Sequence, residues 1–174
     1  MRIYLNGFMG SGKSTIGKAL ANKLCCLYVD LDEFIEEKTF TKIPIIFSQW
    51  GESYFRELEL EYLNDLLIYD NIVIACGGGT VTKSESLNFM NENGTTVFVE
   101  NSFDTLFQRL NKSEEIEKRP LLKSMNASNL KAEMQMLFYL RQPYYDKCAI
   151  KIDGSAQVES IIENIKLKSQ LSFI

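Results

Sequence analysis

The chain contains no histidine. Any proton transfer must therefore run through a carboxylate, a lysine, a tyrosine or water, and a zinc site completed by imidazole is excluded. Its four cysteines, Cys25, Cys26, Cys76 and Cys148, include no C-x-x-C spacing, so thiolate metal binding has no footing either. In a reducing compartment they read as small buried hydrophobes. Prolines number only three, at Pro44, Pro120 and Pro143, and no linker, repeat or low-complexity tract divides the chain. No apolar run approaches the roughly 20 residues that a membrane span requires. Positive charge is not in excess: the net charge is −4 and the pI near 5.0, which argues against nucleic acid or an anionic membrane as a partner. There is no signal-peptide pattern. A glycine loop opening at residue 7 leaves no room for a leader, so the expected location is cytoplasmic.

What remains is ordinary globular material. At 174 residues, 45% hydrophobic and 24% charged, the chain suits one domain, residues 1–174, with a full core and no need of staples. Short apolar runs at Arg2–Asn6, Leu27–Asp30, Asn71–Ala75, Thr95–Val99 and Ala149–Ile152 predict strands. Helical patterns fall at about 14–24, 31–38, 43–48, 52–68, 82–92, 102–110, 127–141 and 155–168. Strands alternating with helices predict an α/β fold, a three-layer α/β/α arrangement around a five-stranded parallel sheet. No long apolar stripe is left over once that core is filled, which favours a monomer.

The most informative stretch is Gly7-Phe8-Met9-Gly10-Ser11-Gly12-Lys13-Ser14-Thr15, which fits the nucleotide-phosphate loop G-x-x-x-x-G-K-[ST]. It lies between a predicted strand and a predicted helix. There, backbone N–H groups and a helix N-terminus can converge on phosphates. Gly10, Ser11, Gly12, Lys13, Ser14 and Thr15 are the candidate nucleotide contacts. In such a loop the lysine reaches the β- and γ-phosphates and the Ser14 hydroxyl ligates Mg²⁺.

Other residues look chemical by position. Asp30-Leu31-Asp32 ends the second strand, at the sheet edge where open parallel sheets bind ligands. Residues i and i+2 on extended chain project to one side, so the pair could serve Mg²⁺ and a substrate hydroxyl; the alternative use of either is as a helix cap. Cys76-Gly77-Gly78-Gly79-Thr80 ends the third strand. Three glycines cost backbone entropy, and close approach of a ligand would explain them, as would a tight turn capped by Thr80 or Thr82. The arginines are Arg2, Arg56, Arg109, Arg119 and Arg141. Arg56 can pair with Glu59 at i,i+3, and Arg141 closes a helix before Gln142-Pro143, where it suits the dipole. Two or three arginines converging on one cleft would select a planar anion such as a carboxylate. The charged run 111–119 reads either as a solvated loop or as a lid carrying Arg119.

Together these pieces resemble the shikimate kinase family, within the nucleoside-monophosphate-kinase-like group of P-loop enzymes. The likeness runs from Ile3 to about Ile165. It joins the phosphate loop to Asp30-Leu31-Asp32, Ile43, Phe47, Gly51-Glu52-x-x-Phe55-Arg56-x-x-Glu59, Gly77-Gly78-Gly79, Arg119-Pro120-Leu121-Leu122 and Arg141-x-Pro143-x-Tyr145-x-x-x-Ala149. The resemblance implies ATP-dependent phosphorylation of the 3-hydroxyl of shikimate in aromatic amino-acid biosynthesis, with Mg²⁺ as cofactor. It further implies that Lys13 steadies the transferring group, Asp30 holds the water shell of the ion and Asp32 is the base. Arg56 and Arg141 would clamp the substrate carboxylate. Gly77, Gly78 and Gly79 would offer backbone to its hydroxyls, and Ile43, Phe47 and Phe55 would wall its ring. Arg119 would close with a lid at about 110–123, Arg109 would stack on adenine, and residues 31–62 would form the substrate-binding region. Cys25-Cys26 stands where the family commonly has a glycine.

Rival readings are weaker. A gluconate kinase would lack R-P-L-L and R-x-P-x-Y. A nucleotide-binding regulator would have lost Lys13, Asp32, Arg56 or Arg141. A GTPase would want N-K-x-D, of which Asn111-Lys112-Ser113-Glu114 keeps the first half only.

Overall fold

The strands predicted from the apolar runs assemble into one sheet. A computed structural model describes residues 1–112, 114, 116 and 119–168. In it β1 (Arg2–Asn6), β2 (Leu27–Asp30), β3 (Ile72–Ala75), β4 (Thr95–Glu100) and β5 (Ile150–Asp153) lie in the order β2-β3-β1-β4-β5. Every pairing is parallel; Ile3 stands opposite Val73 on one side and Thr95 on the other.

Side chains alternate between the faces of a strand, so the central strands β1, β3 and β4 each serve two cores, while the edge strand β5 buries one face only. Ile3, Leu5, Val73, Val97 and Val99 face one way, onto Ile16 and Leu20 of α1 (Lys13–Leu24) and Ile161, Ile162 and Ile165 of α8 (Val158–Lys168). Tyr4, Ile72, Ile74 and Phe98 face the other way. There they meet α2 (Leu31–Thr39), α3 (Ile43–Asp65), α4 (Ser84–Asn93), α5 (Phe103–Leu110) and, beyond the short α6 (Pro120–Lys123), α7 (Leu130–Tyr145). Both faces being covered, the central strands read as continuous apolar runs. The three-layer arrangement is as the alternation predicts. The lid span, about 110–123, includes residues 113, 115, 117 and 118, which lie outside the described residues, as do 169–174 of the predicted domain.

Five local expectations need correction. Helix α7 does not stop at Arg141 but runs to Tyr145, with Pro143 inside it. Pro143 is exposed, so its missing N–H falls on the wet side of the helix, where the loss is least costly. Arg141 therefore owes its place to packing and not to a helix terminus. The same helix leaves Met136, Tyr139 and Leu140 more than half exposed at helical spacing, an apolar stripe that the composition did not suggest. Of the cysteines only Cys76 is fully buried; Cys25 is exposed. Neither Thr80 nor Thr82 caps α4, which has Lys83 at its N-cap. The two helical patterns at 43–48 and 52–68 form one α3 broken at Gly51 (φ 81°, ψ 175°), followed by a 3-10 turn, Leu66–Ile68.

Candidate active site

The loops following β1, β2 and β3 open side by side at the carboxyl end of the sheet, the place where parallel α/β folds bind ligands. The first holds the phosphate loop. Gly12 takes φ 94° in front of α1, with no atom nearer than 3.8 Å to where a Cβ would stand, so backbone angle and not space requires glycine there. Lys13 Nζ donates to Gly7 O (2.9 Å) and Phe8 O (3.0 Å), which folds the lysine across its own loop. Burial lowers its pKa to about 8, against the pull of Asp32. Asn101 Nδ2 donates to Ser11 O at 3.2 Å and Arg109 Nη1 to Gly10 O at 2.9 Å. These two contacts tie β4 and α5 to the loop.

Asp30 and Asp32 do not share an extended segment. Asp30 ends β2 and caps α2: its Oδ1 accepts from Asp32 N (3.2 Å), and its Oδ2 accepts from Ser14 Oγ (2.9 Å). Capping and proximity to the phosphate loop are thus combined in one residue. Asp32 sits in the first turn of α2, and its Oδ1 is buried with no hydrogen-bond partner among the described residues. Burial first, then the neighbouring carboxylates Glu59 and Asp30, push its pKa up to about 7, opposed by Lys13 and Arg56.

The third loop, Gly77–Gly79, faces charged side chains. A Cβ on Gly77 would lie 2.8 Å from Glu59 Oε1 and 2.9 Å from Asp32 Oδ1, and one on Gly79 would lie 2.2 Å from Arg56 Nη2. Arg56 is itself held by Glu59 (Nη1 to Oε2, 2.6 Å) and Glu52 (Nη2 to Oε1, 2.6 Å). Glu59 is fully buried and also accepts from the Thr80 hydroxyl, while Thr82 donates to Gly79 O at 2.7 Å. Arg141, 4% exposed, donates to Gly78 O at 3.2 Å and lies over the Phe8 ring. Among the described residues no carboxylate lies within ion-pair distance of it, and burial lowers its pKa.

Two cavities meet here. The larger, about 630 Å³, is lined by Gly10, Ser11, Gly12, Lys13, Ser14 and Thr15, and by Asp30, Arg109 and Arg119. The smaller, about 130 Å³, is lined by Ile43, Phe47, Phe55, Arg56, Gly79 and Arg141. Asp32, Gly77, Gly78 and Arg119 border both. Every residue expected at the site is therefore brought to one cleft, nucleotide candidates on one side and substrate candidates on the other. Met9, an unspecified position within the phosphate loop, borders both cavities, and Gly154, Ser155 and Ala156, which carry no motif in the sequence, line the larger one. Position after β5 is the only signal for that last segment.

This geometry accords with the chain's relatives. A family model described as shikimate kinase matches residues 9–169. The chain belongs to the shikimate kinase family. The shikimate kinase of Aquifex aeolicus is 42% identical over 167 residues, spanning 96% of this chain and 95% of that protein; its crystal structure superposes with a TM-score of 0.82. A shikimate kinase from Acinetobacter baumannii, solved in complex with shikimate, is 32% identical with a TM-score of 0.84, over 95% of this chain and 91% of that one. A gluconokinase from Sinorhizobium meliloti 1021 is 15% identical with a TM-score of 0.63, over 97% and 91%; it shares the fold alone. The reaction of this shikimate kinase family member is the ATP-dependent phosphorylation of shikimate in aromatic biosynthesis.

Proposed function

We propose that the two cavities divide the reaction between them, ATP in the larger and shikimate in the smaller, with transfer at their junction to the 3-hydroxyl. The observation that carries this reading is Asp32: a buried carboxylate oxygen lacking a partner among the described residues, on the border of both cavities. Such an orphaned acceptor is costly unless a ligand supplies its donor, and an attacking hydroxyl is such a donor. Asp32 then takes the proton as the hydroxyl oxygen bonds to the γ-phosphorus of ATP and the bond from that phosphorus to the β,γ-bridging oxygen breaks, ADP leaving with the bridging oxygen. Phosphoryl transfer asks little else of a protein than positioning and charge neutralisation. Lys13 and Arg119 supply positive charge on the phosphate side, the lysine exchanging its loop carbonyls for phosphate oxygens. Arg56 and Arg141 take the acceptor carboxylate; a buried guanidinium such as Arg141, with no acidic partner among the described residues, is well matched by such an anion. Ile43, Phe47 and Phe55 wall the ring, with Phe47 and Phe55 packed 4.9 Å apart. Gly77, Gly78 and Gly79 offer backbone, and Arg109 lies beside the phosphate loop, where it can stack on adenine.

Ser14 and Asp30 fit Mg²⁺: their oxygens lie 2.9 Å apart, Ser14 to ligate the ion and Asp30 to hold its water shell, for an ion that takes few protein oxygens and completes its shell with phosphate and water. Bound there, Mg²⁺ would neutralise charge on the phosphates. Among the described residues no helix is long and apolar enough to cross a membrane. The enzyme is proposed as cytoplasmic and acting on a small molecule; the net charge of −4 and a pI near 5.0 count against nucleic-acid and anionic-membrane partners, and sedimentation would decide between the proposed monomer and an assembly through the exposed stripe of α7. The activity itself is tested by ADP release from Mg-ATP, with and without shikimate, gluconate and quinate serving as controls. ADP release that depends on shikimate establishes donor and acceptor together. Release unmoved by shikimate, with ATP still bound, would overturn the acceptor assignment and leave the nucleotide site standing.

A further inference from the structure

Helix α7 carries two side chains to a single carbonyl. Arg141 and Tyr145 are four residues apart and so share a helix face. Arg141 Nη1 donates to Gly78 O at 3.2 Å, and the Tyr145 hydroxyl donates to the same oxygen. A carbonyl has two acceptor positions, and both are taken. Tyr145 is 1% exposed, with its ring stacked on Phe98 at 4.9 Å and 10°. Burial raises its phenol pKa, so the hydroxyl stays a donor.

Gly78 is wedged between the two halves of the site. A Cβ there would stand 3.3 Å from Met9 N and 3.5 Å from Arg141 Nη1. Because the peptide is planar and trans, fixing the Gly78 carbonyl also fixes the N–H of Gly79. A buried carbonyl demands a donor. With Tyr145 in place that demand is met mainly by the phenol, and the guanidinium keeps its remaining N–H groups for a ligand. Without it, the carbonyl draws on Arg141 alone.

We infer that Tyr145 is a positioning residue for the acceptor: by sharing the Gly78 carbonyl with Arg141, its hydroxyl holds the guanidinium and the glycine triplet where they receive shikimate. The inference deepens the roles proposed for Arg141 and Gly78 and rests on them. Its test is Tyr145→Phe, which keeps the stacked ring and removes only the hydroxyl. The KM for shikimate should rise about tenfold while the KM for ATP stays within about twofold and kcat within about threefold. In an Arg141→Ala background the same change should add less than about twofold, since residues acting as a unit are not additive. An unchanged shikimate KM would overturn the inference, as would an equal rise in both KM values or a loss of kcat alone with a lowered Tm. An Arg141→Ala variant with a normal shikimate KM would instead remove the clamp itself, a failure recognisable as different because it needs no change at Tyr145.

Discussion

The proposed nucleotide half and the proposed acceptor half of the cleft meet at Asp32 and Gly77, yet they are built in opposite ways. The nucleotide half is backbone: glycines at positive φ, a helix N-terminus, and a lysine lying on loop carbonyls. The acceptor half is buried charge, with Arg56 8%, Glu59 0% and Arg141 4% exposed. Both halves use glycine, for different reasons. Gly12 needs its angle, whereas Gly79 has an ordinary φ of −113° and needs the space that Arg56 occupies. A site made of backbone is specified by local conformation; a site made of buried charge is specified by partners distant in sequence.

The largest effect should come at the junction. Asp32→Asn should cut turnover by about a hundredfold or more while leaving both affinities within about tenfold. A near-normal rate would remove Asp32 as base. The wild-type value of kcat/KM for shikimate should fall below about pH 7, where Asp32 takes up its proton. Stability moves the opposite way. The carboxyl titrates at about 7 when folded and at about 3.9 when unfolded. Between those values the folded chain keeps a proton that the unfolded chain has lost, so stability declines as pH rises through the window. Above it the cost is complete. Asp32→Asn should therefore raise Tm at pH 8 even as it abolishes most activity, and a lowered Tm would contradict that sign.

Arg56→Ala tests whether the halves are separable. Loss of a bidentate carboxylate partner should weaken shikimate binding about a hundredfold, with ATP affinity within about twofold. The variant should also lose about 3 kcal/mol of stability, because Glu59 keeps a buried charge without its partner. Equal loss of both affinities would sink the separation. The glycine pair sharpens the comparison at smaller amplitude. Gly79→Ala, displacing the guanidinium, should raise the shikimate KM about tenfold and spare ATP; Gly12→Ala, strained at its φ, should do the reverse. The same phenotype from both would mean that the two kinds of glycine are not distinct.

That distinction also decides which parts of the molecule are legible in the amino-acid sequence. The phosphate loop is legible because its defining residues fall within one short stretch, Gly7 to Ser14, and its physics is local. The sheet is legible because strands buried on both faces stand out as short apolar runs. Asp32 is legible as a candidate from its place at the end of the second strand beside the phosphate loop, but the roles of Arg56 and Arg141 are legible only through resemblance, since nothing local says that distant residues share a cavity. The role of Tyr145 is hidden because Pro143 reads as a helix end, while the folded chain places that proline on the exposed side and continues. Glu59 looks like an ordinary i,i+3 partner; its full burial and its bond from Thr80 arise only when α3 is laid against the third loop. The apolar stripe of α7 is hidden for a similar reason: periodicity marks an apolar face but not which face is covered.

The smallest effect lies away from both halves, at the end of α1. Cys25 adopts φ 50°, ψ 44°, with its N–H bonded to Asn22 O and that of Cys26 to Ala21 O. This is the C-terminal motif in which glycine is the usual residue, because a Cβ in the left-handed region is strained. Cys25 is exposed and borders neither cavity, so nothing offsets the strain through packing or catalysis. Cys25→Gly removes the Cβ but loosens the unfolded chain, and the two oppose each other. Strain relief should prevail by about 0.5–1 kcal/mol, a Tm gain of about 1–4 °C, with kinetics unchanged. Cys25→Ala, which retains the Cβ, should be neutral. If glycine instead lowers Tm while alanine does not, the unfolded-state entropy outweighs the strain at this cap; if both lower it, the thiol, whose Sγ lies 3.9 Å from Asn22 O, contributes to the cap itself.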